Sequence, residues 1–92
     1  MRVVWDPRKA RANFLKHGVR FSDAEGALFD PNATSREDRF ARGEYRYVLV
    51  GVDHLGRVVV VVYAYSGPDV RMISARRATR KERLQYAEGI RF

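Results

Sequence analysis

The chain has 92 residues, 46% hydrophobic and 32% charged, which suits one folded domain over residues 1–92 and leaves no length for a second core. It contains no cysteine, which excludes disulfides, a thiol nucleophile and a cysteine-ligated metal. Its net charge of +7 makes a polyanion or an acidic protein surface the natural partner, although charge of this kind acts at long range without specifying a ligand.

Arg2 to Trp5 reads as a short strand that ends at Asp6-Pro7. Asp can cap a helix there and Pro fits its first position, so a helix runs to about His17, where Gly18 supplies the left-handed residue that closes it. At about 100° per residue, Lys9, Asn13, Lys16 and His17 fall on one polar arc of that helix. Ser22 with Glu25 forms a capping-box pattern, which predicts a second short helix over Asp23 to Phe29 with Ala24, Ala27 and Leu28 on its buried face. Asn32 to Gly43 is polar and reads as loop with room for one edge strand.

Tyr45 to Val52 and Arg57 to Tyr65 are rich in valine and tyrosine and flank a four-residue loop, Asp53 to Gly56, as a hairpin does. Pairing Val52 with Arg57 would set Arg46 opposite Tyr63. After the turn at Ser66 to Asp69 comes a strand over Val70 to Ser74, whose Arg71 this register places on the other face, with Tyr45. Val58 to Val62 is apolar at every position, which predicts a central strand with both faces at least partly covered and leaves a partner open as one of the covers. Thr79 with Glu82 repeats the capping box and opens a last helix through about Ala87, with Gly89 as its stop. The order predicts an α+β fold: an antiparallel sheet of three to five strands packed by two N-terminal helices and one C-terminal helix. Met1 to Asp6 has no apolar signal core, and Val58 to Tyr65 is too short to span a bilayer. A cytoplasmic protein without membrane insertion is therefore expected.

From Arg71 onward, seven arginines and lysines face only two glutamates. Guanidinium forks suit phosphate, so this run fits a phosphate-binding cluster, although on the residues alone a solvated helix face is the preferred reading. His17 can exchange a proton near neutrality, or it can simply complement the end of its helix. His54 sits in a hairpin loop, and two histidines so far apart predict no metal site. Trp5, Tyr45, Tyr47, Tyr63 and Tyr65 can stack on unpaired bases or on one another within the sheet. Glu82 is explained by its capping role, which leaves Glu44 as the weaker alternative base.

Taken together, Val4-Trp5-Asp6-Pro7, Lys9, Asn13, Lys16-His17-Gly18-Val19, Phe21 and Ala24 resemble the opening of BrnT-type toxins. Gly43-Glu44, Arg46 and Gly51 resemble the middle of that family, and Ile73-Ser74-Ala75-Arg76-Arg77-Ala78-Thr79, Glu82 and Tyr86 its close. The resemblance implies a RelE-like ribonuclease fold in a type II toxin-antitoxin toxin that cuts RNA without metal or cofactor and so inhibits translation. It implies the 2′-hydroxyl as nucleophile and a ribbon-helix-helix antitoxin as partner. The two would form a hetero-oligomer that touches operator DNA mainly through the antitoxin. Carried onto this chain, Arg76 and Arg77 would hold the scissile phosphate. Lys9, His17 and Arg46 would support them, with His17 as preferred proton acceptor, and Lys16, Arg71, Arg80 and Lys81 would bind the nucleic acid. The alternative is a non-catalytic basic module that binds RNA or a protein.

Overall fold

Asp6 accepts a hydrogen bond from the Arg8 amide at 2.8 Å, Pro7 occupies the first turn, and Gly18 at φ 70° ends helix α1 (Pro7–His17) as its sequence dictates. The structure, a computed structural model, describes residues 1–38 and 43–89. Before α1 lies strand β1 (Arg2–Val4); after it come helix α2 (Phe21–Ala24) and a 3₁₀ segment (Glu25–Phe29). Strands β2 (Thr34–Asp38), β3 (Arg46–Val52), β4 (Val58–Ser66) and β5 (Asp69–Arg77) follow, and helix α3 (Arg80–Ala87) closes the described chain. Residues 39–42 of the expected loop, and Arg91 of the basic run, lie outside the described residues.

The five strands form one sheet in the order β1-β5-β4-β3-β2. The sheet is mixed, not antiparallel as expected, because β1 pairs parallel with β5, Arg2 opposite Asp69 and Val4 opposite Arg71. Hairpin signals in the sequence specify only adjacent strands, whereas this pairing joins residues 67 apart and is clamped by an Arg2–Asp69 ion pair at 2.7 Å.

The second helix also departs from expectation. It begins at Phe21 with Arg20 as its cap, and Ser22 makes no capping bond with Glu25. Phe21 is nearly fully buried and meets Trp5 edge to face at 5.9 Å, so core packing starts the helix two residues early. From Glu25 the chain tightens into the 3₁₀ segment, where Gly26 lies against the β3–β4 loop: a Cβ there would meet the His54 backbone nitrogen at 2.7 Å.

The main core lies between these helices and one sheet face, where Val19, Phe21, Ala24 and Ala27 pack on Leu49, Val59, Val61, Tyr63 and Met72. On the opposite face Val50, Val60 and Ala78 form a smaller cluster under α3, with Tyr86 packed against it. Tyr86 donates its hydroxyl proton to Asp30, whose carboxylate also accepts from the Val52 amide at 2.8 Å, tying α3 to the sheet. The central strand is thus covered on its core face and, at its Val58–Val60 end, on the other face as well, by elements of this chain.

Candidate active site

On β4, Val60, Val62 and Ala64 point to the face that carries α3, and each has a partner on β5: Arg76, Ser74 and Arg71. Arg71 lies three residues before Ser74, so regular alternation would put the two on opposite faces. They share a face because the register shifts between Val62 and Tyr63, where Ile73 stands as the extra residue of a β-bulge. Across β4 from Arg71, Arg46 of β3 is also paired with Ala64. The bulge therefore places Arg71, Ser74 and Arg76 in a row on one face, with Arg46 beside them.

The sequence-based register was one residue out. Val52 pairs with Val58 and Arg46 with Ala64, not with Arg57 and Tyr63, and Arg71 shares the face of Arg46 instead of opposing it. The cause is the buried Asp53 carboxylate, which accepts from the Leu55 and Arg57 amides at 2.9 Å and from the Arg57 guanidinium at 2.9 Å. These bonds draw Arg57 into the loop and lengthen it by one residue.

Glu44, just ahead of β3, lies between the two arginines. Its Oε2 is 2.7 Å and its Oε1 3.0 Å from Arg71 Nη2, and Oε1 also accepts from Arg46 Nε at 3.2 Å. The bond from Arg71, with help from Arg46, holds the Glu44 carboxyl below the usual carboxylate range. A base needs affinity for protons, so this environment weakens Glu44 in that role.

Arg76 is engaged in a different way. It grips Glu82 with two bonds, 2.8 and 3.0 Å, while Glu82 completes the capping box with Thr79 at the start of α3. The Arg76 bonds and the Thr79 amide pull the Glu82 carboxyl down to about 2. Arg77, one residue on, lies on the opposite face of β5 across from Val59 and is exposed. The structure thus does not bring Arg76 and Arg77 together. Arg80 and Lys81 are exposed in the first turn of α3.

The third group sits on α1, which covers the outer edge of β5 beyond the end of β1. Lys9, Lys16 and His17 line an open depression with Ala12, Asn13, Ile73 and Ser74. Asn13 does not belong to their exposed arc, as its helical position suggested, but is buried. Its Oδ1 accepts from the Ala75 amide at 3.0 Å and its Nδ2 donates to the Ala75 carbonyl at 2.8 Å, as a neighbouring strand would. The cations of α1 are thereby fixed beside Ser74, the residue they share with the arginine row.

Ser74 and the bulge that phases it were not singled out in the sequence; the only trace is their place in the Ile73-Ser74-Ala75 run. Of the aromatic candidates, Tyr47 stacks on Tyr63 at 5.5 Å and Tyr65 stands edge-on to both, on the face opposite the arginines. Among the described residues, no three His, Cys, Asp or Glu side chains group as a metal-ligand set, and no helix is long and apolar enough to cross a membrane.

The family model for the ribonuclease toxin BrnT of type II toxin-antitoxin systems matches residues 5–82. The crystal structure of the Brucella abortus ribonuclease toxin BrnT is similar in fold at a TM-score of 0.64. It is 24% identical, and the match covers 87% of this chain and 99% of that one. No curated protein matches the chain significantly.

Proposed function

Because the chain belongs to the BrnT family of ribonuclease toxins of type II toxin-antitoxin systems, we propose that it cuts RNA without a metal ion, on the open sheet face around Ser74. The observation that carries this reading is the row Arg71, Ser74 and Arg76 with Arg46 alongside, brought into phase by the bulge at Ile73. In the reaction a ribose 2′-hydroxyl gives up its proton and attacks the adjacent phosphorus. The bond to O2′ forms, the bond to O5′ breaks, and O5′ takes up a proton, leaving a 2′,3′-cyclic phosphate and a 5′-hydroxyl end. Negative charge grows on the non-bridging oxygens in between, and guanidinium groups beside the phosphate stabilise it.

In this scheme Arg76 and Arg71 hold the phosphate and Arg46 supports them. His17 takes the 2′ proton from the flank, and Lys9, about two turns earlier on α1, lines the same depression as a supporting cation. Lys16, Arg80 and Lys81 carry the strand away on either side, and Arg77 is an outlying phosphate contact because it faces away from the row. The antitoxin, a ribbon-helix-helix protein, covers this basic face, and the hetero-oligomer reaches operator DNA mainly through that partner.

The test is incubation of the purified protein with RNA in EDTA, followed by analysis of the product ends. Cleavage that leaves cyclic phosphates, stops when the 2′-hydroxyl at the cut site is removed and falls at least tenfold in Arg71→Ala supports the assignment. Cleavage that needs an added divalent ion, or survives 2′-deoxy substitution, overturns the mechanism.

A further inference from the structure

The two carboxylates on the basic face differ in what else they hold. Glu82 bonds to Arg76, but it also closes the capping box with Thr79, so the helix anchors it. Among the described residues the Glu44 carboxylate bonds only to Arg46 and Arg71. Both its oxygens take part, and one of them is shared between the two guanidinium groups. A phosphodiester offers the same features, one negative charge and two non-bridging oxygens, so the Arg46–Arg71 pair is arranged for an anion and already contains one. Glu44, Arg46 and Arg71 each keep about a third of their side-chain surface exposed, at 33%, 38% and 32%, so a ligand in solution can reach them.

We propose that Glu44 is a built-in competitor for the anion site of Arg46 and Arg71, which an RNA phosphate must displace. The exchange replaces one carboxylate with one phosphate and conserves charge at the site, so Glu44 lowers RNA affinity without changing what is bound. Asp38 of β2 is paired with Arg46 and Arg36 lies two residues before it; both already have partners of their own. This inference rests on the reading of that face as the RNA site.

The probe is an RNA oligonucleotide with 2′-O-methyl groups throughout, so that binding is measured without cleavage. Glu44→Gln, checked for an unchanged far-UV spectrum, is expected to bind it about fivefold more tightly than the unmodified protein. Adding Arg71→Ala to Glu44→Gln removes the gain. Binding that is unchanged or weaker in a folded Glu44→Gln variant overturns the proposal while leaving the RNA site in place. A second measurement needs no variant: inorganic phosphate is titrated into the unmodified protein while the Glu44 carboxyl carbon is followed by NMR. Its signal moves towards that of a free carboxylate as phosphate binds; phosphate that perturbs Arg71 and leaves Glu44 unmoved overturns the proposal. If the unmodified protein binds no RNA but phosphate releases Glu44, the competitor stands and the RNA reading falls.

Discussion

Replacing Asn13 with alanine tests how α1 is fastened to the sheet edge. The side chain makes three bonds to buried backbone: from the Ala75 amide at 3.0 Å, to the Ala75 carbonyl at 2.8 Å and to the Val19 carbonyl at 3.1 Å. Ala75 and Val19 have no solvent exposure, so water cannot replace these bonds without opening the core. At about 1 kcal/mol for each buried group left unpaired the loss is about 3 kcal/mol, and the better helix propensity of alanine returns roughly 0.5 kcal/mol. A net cost of about 2.5 kcal/mol corresponds to a fall in melting temperature of roughly 10–20 °C for a domain of this size. Urea denaturation followed by Trp5 fluorescence measures it, and hydrogen exchange at the Ala75 amide should accelerate in the variant. A cost below about 0.5 kcal/mol, or an Ala75 amide as protected as before, would refute the strand-mimic role and return Asn13 to the exposed arc of α1.

Two further perturbations address the other fastenings. Arg76→Ala should cost about 1 kcal/mol after allowance for its partial exposure, because it releases Glu82 as well as an arginine. The Glu82 carboxyl is drawn from the usual 4.5 down to about 2, so its stabilisation is complete above pH 4.5 and disappears as pH falls towards 2. Melting curves across that window should therefore lose less stability in Arg76→Ala than in the unmodified protein; parallel losses would show that Arg76 is not the main cause. Gly26→Ala should destabilise by about 1–3 kcal/mol, as overpacking does. The contact at 2.7 Å is with the backbone nitrogen of His54, so adding His54→Ala should restore only part of that loss. Full rescue, read by urea denaturation, would mean that the imidazole alone sets the limit.

The ends of α1 and α3 were legible because short-range chemistry fixes them: Asp6, Pro7 and Gly18 for one, Thr79 and Glu82 for the other. Strands β3 and β4 were legible from their valine and tyrosine content and β5 from the turn before it, although β5 runs on to Arg77 instead of ending at Ser74. The parallel pairing of β1 with β5 left no mark in the sequence, since nothing near Arg2 announces a partner 67 residues away. The hairpin register failed on one buried side chain, Asp53, whose bonds to Arg57 no local pattern predicts. The same blindness applied to the candidate site: the basic residues could be named, but not sorted by face.

That sorting is what the geometry of strand and helix accomplishes. Without Ile73 as an extra residue, Arg71 would face the core helices, and the row with Ser74 and Arg76 would not exist. The extent of the open surface follows from where α3 crosses the sheet. Just before the helix the Ala78 amide donates to the Val58 carbonyl at 3.0 Å, and Tyr86 near its end bonds to Asp30, whose carboxylate also holds the Val52 amide. The helix therefore lies across the Val52–Val58 end of the hairpin. Ala64 stands six residues along β4 from that end, and Arg46 and Arg71, paired across it, keep 38% and 32% of their side-chain surface open to solvent because α3 does not reach them.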